Sequence, residues 1–357
     1  MNKQFWSRRI REVEPYVPGE QPKDRTYVKL NTNENPYPPS PKVQEALQRV
    51  EMESLRLYPD PDCYELRSTL AQQQGLKPEQ VFVGNGSDEI LAFSYLAFMD
   101  DETPAIFPDI TYSFYPVYAA FFGNNTRIVP VNEDFTMPLA QLKQDDGTLI
   151  ITNPNAPTGI ALPLSEIGGL CRENPNHVVI VDEAYVDFGA ESAVKLLSDY
   201  PNLLVIQTCS KSRALAGMRI GFAFGSEDLI GALNTVKNSI NSYTLDRMAL
   251  AAAKAAIEDK TYTDDTCRRV AETREKTTGK LKELGFTVLP SRANFIFAAH
   301  PSVPGEKLFL GLRQRGVLVR YFKKPRIDNF LRITIGTDQE MDCLIAAVQE
   351  ILEEYHA

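Results

Sequence analysis

The chain has 357 residues, too many for one compact core, so two lobes are expected. At 43% hydrophobic and 24% charged it has the make-up of an ordinary globular protein, and no apolar stretch is long enough to span a membrane. A formal charge of −9 without any Lys/Arg-rich run sets aside a nucleic-acid partner, which needs a basic surface.

The first 35 residues are Pro-rich and irregular and read as an arm. Their opening, MNKQFWSRRIREVEPYVPGE, lacks the unbroken apolar core of a signal peptide, and a cytoplasmic protein is expected. From about residue 65 to residue 235 strands and helices alternate. Helical spacing runs from Cys63 to Gln74, then VFVG forms a short strand that ends at GNGSDE. Ser87 is placed to cap the following helix, which extends to Met99. Further strands are AIF, RIVPV, TLIIT, VVIVDEAY, LLVIQTCS and IGFAFG. Such alternation predicts an α/β fold with a mostly parallel sheet, whose ligands gather at the carboxyl ends of the strands.

Beyond about residue 235 the texture changes. One long helical run is expected from Asp246 to Lys282, rich in Ala, Lys, Glu and Arg. Strands FTVLP and ANFIFA, a helix from Glu306 to Gln314, strands GVLVRYF and FLRITIG, and a closing helix follow. These make a smaller α+β lobe. The expected division is an arm over 1–35, a large domain over 36–245 and a small domain over 246–357.

The chain has only three histidines, and neither they nor the five scattered cysteines form a metal-spaced or CxxC cluster. No metal is expected, and the chemistry falls to Lys, Asp, Tyr, Asn and Arg. Informative residues do stand after the strands. Lys211 follows LLVI within QTCSKSRALAGMRIGF, with Ser210 before it and Arg219 eight residues on; a guanidinium suits a phosphate partner. Asp182 ends the apolar strand VVIVD, a costly place for a carboxylate unless a cation meets it. Tyr185 lies three residues further. GNGSDE, with Ser87 and Asp88, is a Gly-rich turn opening a helix, where free backbone N–H groups bind phosphate.

Tyr112 in PDITYSFY can lie against a planar ring, and NPNAPTG sets polar Asn155 among prolines. Taken singly, each has an ordinary structural explanation: a solvated lysine, a core aromatic, a Pro-rich turn. Together they supply what pyridoxal 5'-phosphate (PLP) requires, namely an amine, an acid for the pyridine nitrogen, phosphate donors, a stacking ring and a partner for the phenolate oxygen.

The ordered series GNGSDE, TY, NPNAPTG, VDEAY and SK…GxR is similar to that of fold-type I PLP enzymes. With EPYVPGE, KLNTNENP, LRLYPDPD, SRANFIF, GVLVR and LRITIGT, the chain resembles the histidinol-phosphate aminotransferases over nearly its whole length. The resemblance implies that Lys211 carries the cofactor, that Asp182 meets the pyridine nitrogen and that Tyr185 meets O3'. It implies that Ser87, Asp88, Ser210 and Arg219 hold the phosphate and that Tyr112 stacks on the ring. Tyr58 matches a tyrosine given to the phosphate across a homodimer interface. Tyr16, Asn33, Arg320 and Arg332 match positions that face the substrates, glutamate and histidinol phosphate.

Two departures from the pattern stand out. Ala156 stands where an Asn commonly precedes PTG, so that either Asn155 serves the cofactor or the contact is lost. Ser212 and Arg213 replace an Ala-Phe pair, and Arg213 is expected to face solvent. An aromatic or broad-range aminotransferase and a threonine-phosphate decarboxylase-like lyase share the same core motifs.

Overall fold

A computed structural model describes residues 3–356. Thirteen strands fall into three sheets among them. In chain order they are β1 (Val28–Lys29), β2 (Val81–Gly84), β3 (Ala105–Pro108), β4 (Thr126–Val129), β5 (Thr148–Thr152), β6 (Val179–Asp182) and β7 (Leu203–Thr208). Then come β8 (Gly221–Phe224), β9 (Thr287–Val288), β10 (Phe295–Ala299), β11 (Val317–Leu318), β12 (Arg320–Tyr321) and β13 (Leu331–Thr334).

The central sheet has the order β2-β8-β7-β6-β5-β3-β4. Strands β4, β3, β5, β6 and β7 are parallel neighbours, whereas β8 is antiparallel to both β7 and β2. Every residue of β2, β3, β5, β6, β7 and β8 is buried, because helices cover both faces; this is why those segments read as unbroken apolar runs. The reversal of β8 matters for function. Its beginning, rather than its end, lies at the carboxyl edge of the sheet, so Arg219 reaches that edge from before the strand.

The smaller lobe is built on the antiparallel sheet β12-β13-β10-β9. Arm residues join it through β1, which pairs in parallel with β11. GVLVRYF is thus not one strand: β11 pairs with the arm, and β12 pairs with β13. Among the described residues no helix is long and apolar enough to cross a membrane.

The helical run after residue 246 also differs from expectation. It is two helices, Arg247–Glu258 and Lys260–Glu283, with Asp259 between them. The Asp246 carboxylate accepts from the backbone N–H of Ala249 and caps the first helix. At the break, Ser40 Oγ donates to Asp259 Oδ2 at 2.5 Å and Lys42 Nζ pairs with Oδ1 at 3.0 Å. The apolar face of the first helix (Ala249, Ala252, Ala253, Ala256) packs into the core of the large sheet, while Cys267, Val270 and Leu281 of the second pack into the small lobe.

Candidate active site

The carboxyl edge of the central sheet and the small lobe enclose a cleft of about 220 Å³. Tyr16, Asn33, Ser87, Asp88, Tyr112, Asp182, Tyr185, Ser210, Lys211, Arg219, Arg320 and Arg332 all line it, so twelve residues singled out from sequence meet in one place. Tyr58 and Asn155 do not.

The helix Gly86–Phe98 opens at the rim of this cleft. Ser87 does not cap it, because Asn85 holds the cap position and Ser87 sits inside the first turn; instead, Glu89 reaches back to accept from the Asn85 N–H at 2.7 Å. Gly86 has φ +77°, and a Cβ there would lie 2.6 Å from Arg219 Nη2. A Cβ on Gly221 would come within 2.4 Å of the Ser87 nitrogen. The two glycines let the start of β8 run directly beneath the helix N-terminus. This brings Arg219 beside Ser210, whose Oγ it meets at 3.4 Å. Backbone donors, a hydroxyl and a guanidinium thus converge on a space suited to a phosphate. The Asp88 carboxylate is already engaged, accepting from Arg219 at 3.1 Å and from the Tyr112 hydroxyl at 3.0 Å. A carboxylate repels phosphate, so Asp88 can serve one only through its backbone N–H.

Asp182 lies at the end of β6, buried, accepting from the Ala184 N–H at 3.1 Å and from the Tyr115 hydroxyl at 3.2 Å. Burial pushes its pKa up to about 6, against the lowering pull of those two donors. Neither donor is a cation, and a protonated ring nitrogen would supply one. Tyr115 was not singled out from sequence; only its phenol oxygen distinguishes it from the aromatic residues packed around it.

Lys211 follows β7 and donates to the Thr32 carbonyl at 3.2 Å. Burial, and then the charge of Arg332, lower its pKa to about 8. Such an amine is neutral in a useful fraction near neutral pH. Asn33, with φ +56°, donates from Nδ2 to the Tyr185 hydroxyl at 3.0 Å, while its Oδ1 accepts from Thr334. Its amide orients Tyr185 rather than projecting freely toward a substrate.

Asn155 does not line the cleft. Its Oδ1 accepts from Thr152 at 2.6 Å, and its Nδ2 donates to the Ile110 carbonyl and to Thr158 Oγ1. Its amide is consumed in shaping the loop, and Ala156 faces the cleft instead. No amide replaces the expected contact from position 156. Arg213 does not face solvent either. It pairs with Asp187, its side chain only 15% exposed.

Above the cleft, Tyr16 stacks on Phe114 at 4.7 Å between ring centroids. Arg332 donates to the Asn31 carbonyl at 3.0 Å, but its buried Nε has no partner. Arg320 donates to the carbonyls of Val17 and Pro18 in the arm. Tyr58 is 76% exposed and does not line the cleft; it stacks on Tyr243 at 4.4 Å.

Residues 25–348 match the family model described as aminotransferase class I and II. The chain is 56% identical to histidinol-phosphate aminotransferase of Acinetobacter baumannii (strain AB307-0294) over 349 residues, covering 97% of each chain. It is 54% identical to that of Clostridium acetobutylicum over 348 residues, covering 98% of this chain and 99% of the other. The fold is similar to the crystal structure of histidinol-phosphate aminotransferase from Sinorhizobium meliloti in complex with pyridoxal-5'-phosphate, with TM-score 0.84, 24% identity and 92% of each chain covered. The chain belongs to the class I and II aminotransferases and, within them, to the histidinol-phosphate aminotransferase family.

Proposed function

We propose that this chain is a PLP-dependent aminotransferase that interconverts histidinol phosphate and 2-oxoglutarate with imidazole-acetol phosphate and glutamate, in the cytoplasm, as a homodimer. The observation that carries the reading is the buried carboxylate of Asp182, held by neutral donors, sharing one cleft with the low-pKa amine of Lys211.

The residues present fit the cofactor. Asp182 would meet its ring nitrogen, Tyr185 its phenolate oxygen and Lys211 its aldehyde carbon. Ser87, Ser210 and Arg219 would hold its phosphate, with Tyr112 against its ring. When bound, PLP supplies an electron sink for the bond broken at the substrate's α-carbon.

The chain's own residues do the rest. Asp182, ionised and shielded from water, favours a proton on the atom facing it. Lys211 Nζ is placed to take the α-proton and return it. Asn33 donates to the Tyr185 hydroxyl at 3.0 Å and so favours one orientation of it. Arg332, which lines the cleft while donating to the Asn31 carbonyl, offers its guanidinium to a carboxylate or a phosphate. Tyr58, exposed and away from its own cleft, is suited to serve the cleft of a partner subunit.

The test is a half-reaction assay on the PLP-loaded enzyme, following cofactor absorbance as glutamate, histidinol phosphate and histidinol are added separately. Conversion by the first two, with histidinol slow, supports the reading. Release of CO2 without a keto-acid acceptor would replace it with a lyase. Lys211→Ala should lose both conversion and borohydride-trapped cofactor.

A further inference from the structure

Ser212 and Arg213 are turned inward onto one carboxylate. Ser212 Oγ donates to Asp187 Oδ2 at 2.5 Å, Arg213 Nη1 donates to the same oxygen, and Arg213 Nη1 meets Ser212 Oγ at 2.6 Å. Asp187 stands in the 3-10 turn Val186–Phe188, two residues after Tyr185, and Ser212 directly follows Lys211. From the other side, Asn35 Nδ2 donates to the carbonyls of Lys211 and Ser212 at 3.1 and 3.2 Å.

The turn that carries Lys211 needs such restraint. It passes through Ala214 at φ +54°, a left-handed conformation that costs a residue with a Cβ roughly 1–2 kcal/mol. An apolar pair would stabilise the spot about as well, because an ion pair with a carboxylate still 32% exposed contributes only about 0–1 kcal/mol. The Arg213 Nε is also sealed without an acceptor. What the ion pair adds is a fixed separation between two backbones. None of Asn35, Asp187, Ser212 and Arg213 lines the cleft, so they can act only through the residues they hold.

We infer that Asp187, with Ser212 and Arg213, is a positioning clamp that sets where Lys211 stands relative to Tyr185. The clamp rests on the roles proposed above for those two residues. Losing it leaves the cleft lining intact but lets the lysine turn and the tyrosine turn drift apart.

The experiment compares the parent with Asp187→Asn, Ser212→Ala and the charge-conserving Arg213→Lys, all loaded with PLP. Three quantities are read beside the thermal midpoint: the pH titration of the absorbance of Lys211-attached cofactor, the rate of cofactor uptake by the apo-chain, and kcat and KM for the glutamate half-reaction. Asp187→Asn should move the titration midpoint by about half a pH unit or more, slow uptake, and cut kcat roughly tenfold with KM within about twofold. Ser212→Ala should give a smaller change of the same kind, and Arg213→Lys should stay nearest the parent. If Asp187→Asn does not fold, the other two variants decide. Titration and kcat within about twofold of the parent in every folded variant, whatever their thermal midpoints, would reduce the clamp to packing and overturn it. A parent enzyme with no Lys211-attached cofactor would instead remove the reading of Lys211 itself, and the clamp with it.

Discussion

The Tyr115 hydroxyl donates to Asp182 Oδ2 at 3.2 Å from inside a closed aromatic cluster, so the carboxylate at the floor of the cleft is held from below. Tyr115 also packs edge-on against Tyr112, with centroids 5.7 Å apart. One residue thus fixes both the acid and the ring proposed to hold the cofactor.

Asp182→Asn should retain most cofactor affinity and lose catalysis by well over tenfold, since an amide cannot hold a proton on the ring nitrogen. Tyr115→Phe should be milder. It removes one donor from a buried carboxylate, worth about 1–3 kcal/mol of stability, and should lower kcat more than it raises KM. Steady-state kinetics and cofactor titration of the two variants check this. An Asp182→Asn enzyme within about tenfold of the parent, or about 1.4 kcal/mol in barrier, would end the role assigned to it.

The pH dependence of stability should differ between the apo-chain and the loaded enzyme. Asp182 has a folded-state pKa of about 6 against an ordinary carboxylate value of 3.8. Between those values the folded state binds more protons than the unfolded one, so apo stability falls as pH rises through that window. Glu183, raised by burial to about 7, acts in the same direction but faces Ser192, Ala193 and Gln207 rather than the cleft. Its contribution is common to both forms. A bound ring cation would relieve only Asp182. The rise in melting temperature on adding PLP should therefore be larger at pH 7.5 than at pH 5. Calorimetry of both forms at the two pH values measures it, and equal rises would contradict the pairing.

The exposed Tyr58 should act on a partner's site. Arg247 donates to the carbonyls of Leu57 and Tyr58, which holds the segment against its own chain while the ring points outward. Mixing Lys211→Ala subunits with Tyr58→Phe subunits puts both lesions in one site of the heterodimer and leaves the other site whole. Activity above that of either homodimer is expected. No gain on mixing, with heterodimers verified by mass, would assign Tyr58 to its own chain.

Much of this site was legible in the sequence because the fold places the ends of its parallel strands together. Asp182, Ser210 and Lys211 could be assigned to one edge simply from apolar runs that stop at polar residues. Arg219 fell at that edge for a different reason, the antiparallel β8, which an apolar run does not announce. Side-chain partnerships were less legible. Asn155 and Ala156 differ by one residue, and only the three-dimensional turn decides which faces the cleft. Arg213 looked solvated because a charge usually is, and its partner Asp187 lies 26 residues earlier. The helix break at Asp259 was hidden for a similar reason. Its stabilising contacts come from Ser40 and Lys42, more than 200 residues away.

Selection of the second substrate should rest on the two late arginines, with unequal parts. Arg332 lies on β13 with its guanidinium over the rings of Phe295 and Phe322, at 5.5 and 5.7 Å, and its Nε unpartnered. Burial lowers its pKa, because the charged form loses its water there. Arg320 is already occupied, donating to Val17 and Pro18 of the arm beside Tyr16. It can reach a phosphate only by sharing or exchanging those bonds. Arg332→Ala should thus damage both half-reactions, because glutamate and histidinol phosphate would each lose a charged partner. Each loss is worth about 1.5–3 kcal/mol, or roughly ten- to a hundredfold in rate. Arg320→Ala should harm histidinol phosphate more than glutamate and should also loosen the arm, visible as faster proteolysis ahead of Val17. Dephosphorylated histidinol should react poorly with the parent enzyme, since desolvated guanidinium groups would be left unpaired. Single-turnover rates for the two half-reactions separate these effects. Equal parent rates with histidinol and histidinol phosphate would exclude phosphate recognition by either arginine and favour a broad-range aminotransferase.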